Sequence, residues 1–113
     1  MLATGASDRG FKGIIARAGT AAHLPGVVAA GTTPPVIAVP LATSDLSGRD
    51  APLAIMQMPD GIPVATMAVG KVGARNAGFL ATQIVGLSES QFQVPYQRYC
   101  NEQAEKLRAE SSL

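Results

Sequence analysis

The chain has 113 residues, 47% of them apolar and 4% aromatic, with nine Lys and Arg against eight Asp and Glu. A net charge of +1 with no clustered basic run excludes the electrostatic footprint of a nucleic-acid binder, and no apolar stretch approaches the roughly 20 residues that span a bilayer. Cys100 is the only cysteine, which excludes an internal disulfide and fits a reducing, cytoplasmic compartment.

Taken in chain order, residues 1–12 read as a helix end or loop with no secretory leader pattern. Gly13-Ile14-Ile15-Ala16 is a short apolar run, expected as a strand buried on both faces. It leads through Ala18-Gly19-Thr20 into a helix over His23–Ala30, with Pro25 in the first turn and Gly31 at the stop. Val36–Val39 reads as a second buried strand, closed by Pro40. Residues 42–48 are polar and turn-rich, and a helix is expected from about Arg49 to Met56.

Pro59-Asp60-Gly61 is a turn, because Pro presets φ and Gly permits positive φ. A third strand is expected over Val64–Val69 and a loop over Gly70–Gly73. Asn76 is expected to cap a helix that runs to about Val85 and stops at Gly86. Ser88-Glu89-Ser90-Gln91 has capping-box spacing. A last helix runs from about Pro95 to Ala109, with Tyr96, Cys100, Gln103 and Leu107 on one face and the Glu102–Lys106 pair on the other. Alternating strands and helices predict a parallel sheet with right-handed crossovers in a single α/β domain.

The stretch Ala16-Arg17-Ala18-Gly19-Thr20-Ala21-Ala22-His23-Leu24-Pro25-Gly26 resembles the Gly-Ala-Gly-Gly-Ala-Ala-His-Leu-Pro-Gly-Met loop of the PurE family of purine biosynthesis. That family comprises carboxyaminoimidazole ribonucleotide mutases and AIR carboxylases. Further blocks follow in the family's order: Pro35–Pro40, Ser44–Asp50, Gln57–Thr66 and Gly70–Ala77. The resemblance covers about residues 3–110. It implies a three-layer flavodoxin-like fold, truncated here to its last three strands with a C-terminal helix. Residues 92–113 would pack on neighbouring subunits of a homo-octamer.

The implied activity is transfer of a carboxyl group to carbon 4 of aminoimidazole ribonucleotide, either from the N-carboxylated isomer or directly from carbon dioxide, without a metal or other cofactor. The implied partner is a small ribonucleotide, and no nucleic acid or membrane. Two of the family's motifs, a Ser-rich phosphate loop and a Ser-Ala-His-Arg segment bearing the proton-transfer His, are expected upstream of Met1. The alternative expectation is a catalytically inactive truncated homologue that keeps only fold and assembly surfaces. Losing the first two strands would leave Gly13–Ala16 as a bare sheet edge, an aggregation hazard.

The residues that the resemblance places against substrate are Ala18, Gly19, Thr20, Ala22, His23 and Leu24. A strand-to-helix turn of this kind points backbone N–H groups outward and favours an anion. It also lies at the carboxyl end of a parallel strand, where open sheets bind ligands. Read without the resemblance, the turn fits a purely structural role equally well, and a lone His at a helix start is more often a structural hydrogen-bonder. Arg17 and Thr20 stand where the family has glycines, so the loop is expected to be reshaped or its binding weakened. One His and one Cys cannot furnish a structural zinc site. Cys100 reads as a packing residue.

Overall fold

The computed structural model describes residues 10–19, 23–41 and 56–111. The chain divides into two compact units, Met1–Ala81 and Thr82–Leu113.

In the first unit, β1 (Ile14–Ala18), β2 (Val36–Pro40) and β3 (Ala65–Thr66) form a parallel sheet in the order β1-β2-β3. This α/β arrangement, with neighbouring strands consecutive in sequence, is the one expected of the last three strands of a flavodoxin-like sheet. Helix α1 (His23–Ala30) supplies the crossover between β1 and β2 and packs on both strands. Gly26 in α1 leaves room for Met58, whose Cε lies 3.3 Å from where a Cβ would sit.

The core is centred on β2. Val36, Ile37, Ala38 and Val39 are all at most 4% exposed, and Pro40 is also fully buried. A continuous apolar run rich in β-branched residues suits a strand covered on both faces. Pro40 is tolerated in this central strand because it is the last residue of the ladder. Its missing N–H falls on the β3 side, where its carbonyl still accepts from Gly70 N–H at 3.0 Å.

β1 differs from expectation. It runs on to Ala18, and its burial alternates. Ala16 and Ala18 are buried, whereas Ile15 is 49% exposed and Arg17 is exposed. Successive side chains point to opposite faces of the sheet, so the alternation means that one face of β1 is covered and the other is open. Among the described residues β1 also pairs with β2 alone. Ile14 N–H bonds to the Pro35 carbonyl and the Ala18 carbonyl accepts from Leu41 N–H, both at 2.9 Å. The backbone groups of Ile15 and Arg17 therefore point to the open edge.

The third strand is also shorter than expected. Only Ala65 and Thr66 are in the ladder, extended by the Met67 N–H bond to the Ala38 carbonyl at 2.9 Å. The Pro59–Gly61 turn forms, closed by Ile62 N–H to the Pro59 carbonyl at 3.2 Å, with Gly61 at φ 90°. Pro59 is thus the first residue of the turn, and Gly61 supplies the positive φ that a type II turn needs at its third position.

Helix α2 (Lys71–Gly86) begins inside the segment expected as a loop. Gly70, at φ 81°, makes the bend, and Ala74 N–H already bonds to its carbonyl at 3.0 Å. Asn76 is consequently an exposed residue within the helix and not its cap. A buried glycine explains the early start. A Cβ on Gly73 would overlap the carbonyl of Ala68, so only glycine lets the first turn of α2 close against the segment that leads into it.

In the second unit, the end of α2 is followed by a 3₁₀ turn (Ser90–Phe92) and by α3 (Gln93–Ser111). The capping box expected at Ser88 does not form. The cap of the 3₁₀ turn is Glu89 with no side-chain bond, and the Ser88 hydroxyl donates back to the Val85 carbonyl at 3.4 Å. Tyr96, Cys100 and Gln103 are half-buried along α3, as their shared face implies, but Leu107 is 67% exposed. The helix expected over 49–56 lies outside the described residues up to Met56.

Candidate functional site

The parallel ladder brings three segments of the chain to one rim. Ala18, Pro40 and Gly70 stand side by side at the carboxyl ends, tied by the Leu41–Ala18 and Gly70–Pro40 hydrogen bonds. From this rim α1 starts just beyond β1 and α2 just beyond β3. The first N–H groups of a helix have no partner within the helix itself, and neither helix carries an acidic residue in its first turn to neutralise them. Placing a carboxylate or phosphate against such a helix end is worth about 0.3–1 kcal/mol, up to about 2 kcal/mol where partly buried.

Of the residues predicted from sequence, Ala18 is buried at the end of β1 and Gly19 is half-buried beside it. His23 and Leu24 are the first two residues of α1, which puts their backbone at the rim. Thr20 and Ala22 lie outside the described residues. Local residue chemistry read Gly70–Gly73 as a loop, whereas the family block that Gly70–Ala77 resembles is the start of a late helix, and the structure starts α2 at Lys71. Its signal was present in the paired Gly70 and Gly73, but a glycine-dense segment reads as a loop until the Ala68 contact is seen.

Lys71 is exposed at the first position of α2. A cation there is unfavourable for the helix and adds to the positive potential facing an anion.

Among the described residues, no group of three or more His, Cys, Asp or Glu converges as metal ligands, and no helix is long and apolar enough to cross a membrane. The second unit has its own open groove of about 470 Å³, lined by Gln83, Leu87, Phe92, Gln93, Val94, Tyr96 and Gln97. Its lining holds no formal charge, so it offers nothing to balance a phosphate or carboxylate. On α3, the hydrogen bond with Cys100 raises the Tyr96 phenol above the ordinary tyrosine range, with smaller contributions from desolvation and from the charges of Cys100 and Tyr99.

Comparison with known proteins adds to this geometry. The family model described as AIR carboxylase matches residues 1–106. The chain is 52% identical over 103 residues to the N5-carboxyaminoimidazole ribonucleotide mutase of Aliivibrio fischeri, covering 91% of this chain and 64% of that protein. It is 60% identical over 80 residues to the mutase of the same name from Bacillus subtilis, covering 71% and 49%. With that of Mycobacterium leprae it shares 47% over 110 residues, covering 97% and 63%. The chain therefore spans less than two thirds of the length of these relatives.

Proposed function

The chain belongs to the AIR carboxylase family, and on that premise we propose that the protein acts in purine biosynthesis, moving a carboxyl group onto carbon 4 of aminoimidazole ribonucleotide. The names of the relatives favour the isomerase form of this chemistry, which starts from the N-carboxylated isomer, over direct carboxylation. The observation that carries the reading is the rim. Ala18 and Gly19 end β1 at the carboxyl edge of a parallel sheet and α1 starts at His23, in the segment that resembles the family's substrate loop.

In this reading the backbone amides of residues 18–24 hold the carboxylated end of the imidazole. Fixing the ring in this way turns an encounter between carbon dioxide and carbon 4 into an intramolecular event. The reaction also requires that water be kept from the site, so that the transferred group is not lost. His23 stands at the edge of the pocket as a binding residue, and the resemblance assigns proton transfer to a different histidine. No cofactor enters the proposal. The protein works in the cytoplasm as a homo-oligomer, an octamer by resemblance. Exposed Val94 and Leu107 on α3, 59% and 67% accessible, support the use of that helix in subunit packing.

The test is a titration of the isotopically labelled chain with N5-carboxyaminoimidazole ribonucleotide. Amide shifts concentrated at Ala18, Gly19 and residues 20–24 are expected. Shifts confined to the groove of the second unit, or none at millimolar ligand, overturn the assignment.

A second reading, a non-catalytic homologue that retains the fold and assembly surfaces, is favoured by Arg17 and Thr20 at positions where the family has glycine. Under that reading Arg17→Gly with Thr20→Gly gains binding that the unaltered chain lacks.

A further inference from the structure

We draw no further inference here: the strongest candidate, the open groove of the second unit between the end of α2 and the start of α3, is an apolar surface lined by Leu87, Phe92, Val94 and Tyr96, and nothing in the structure shows what covers it.

Discussion

Gln93 occupies the space that a side chain on Gly86 would need. Its Nε2 donates to the Gly86 carbonyl at 2.7 Å, and its Cγ lies 2.8 Å from where a Cβ on Gly86 would sit. The last turn of α2 and the first residue of α3 are thereby fastened by one amide, which satisfies a carbonyl that the end of a helix otherwise leaves to water.

This pairing predicts a measurable coupling. Gln93→Ala should cost about 0.5–1.5 kcal/mol, the net worth of one hydrogen bond. Gly86→Ala removes a helix glycine, which elsewhere gains about 1 kcal/mol, but here the gain is offset by the contact with Gln93. The double variant should recover part of the loss. Urea melts of the four proteins give the coupling, and strictly additive effects would contradict it.

Gly73 and Gly78 make a matched pair on one helix. A Cβ on Gly73 meets the backbone of Ala68, whereas one on Gly78 meets nothing within 4 Å. Gly73→Ala should therefore destabilise by about 1–3 kcal/mol or more, since backbone cannot rotate aside as a side chain can. Gly78→Ala should stabilise by about 0.5–1 kcal/mol through helix propensity. Equal effects at the two sites in thermal melts would show that the Ala68 contact is not tight.

The open edge of β1 predicts self-association of the 113-residue chain. Ile15 is 49% exposed, on a strand that pairs with β2 alone among the described residues. Ile15→Lys should lower the aggregation rate by placing a charge on that edge, with little loss of stability. A chain that sediments as a monomer at high concentration, before and after the substitution, would count against the edge as the cause.

Tyr96 gives a pH signature. Its phenol is raised, first by the hydrogen bond with Cys100. A raised acid binds its proton more tightly in the folded state. Its contribution to stability is therefore complete below the unfolded value of about 10 and is lost as pH rises through the folded value. In a Tyr99→Phe background, phenolate absorbance should titrate above the midpoint of the unfolded chain, and Cys100→Ala should move it back down. An unchanged midpoint after Cys100→Ala would show that the bond does not matter.

Catalysis provides the fifth expectation. His23 is the sole histidine of the chain, and the resemblance gives it binding and not proton transfer. Assayed by themselves, without the Ser-Ala-His-Arg segment to which the resemblance assigns proton transfer, the 113 residues should show no turnover in a carboxyl-transfer assay. Measurable transfer that His23→Ala abolishes would move the acid–base role onto this residue.

The sequence by itself determined the parallel α/β class, because apolar runs of strand length alternate with helix-length segments bounded by Gly and Pro. It also determined α1 and the placement of β2, whose unbroken run from Val36 to Val39 admits few other environments. The turn at Gly61 was legible from local chemistry alone, since positive φ is nearly private to glycine. So was the siting of Ala18 and Gly19 at a strand end.

What the tertiary structure decided lies where neighbours outweigh local preference. Gly70–Gly73 has the composition of a loop, yet it enters α2 because the Ala68 carbonyl needs the space where Gly73 lacks a side chain. Ile15 has the composition of a core residue, yet it is half exposed because burial depends on which face of its strand the rest of the fold covers. The rim that joins Ala18, Pro40 and Gly70 is made by hydrogen bonds between residues far apart in the chain. Spacing along a sequence records the preferences of each segment, and only the register of the folded sheet sets those segments side by side.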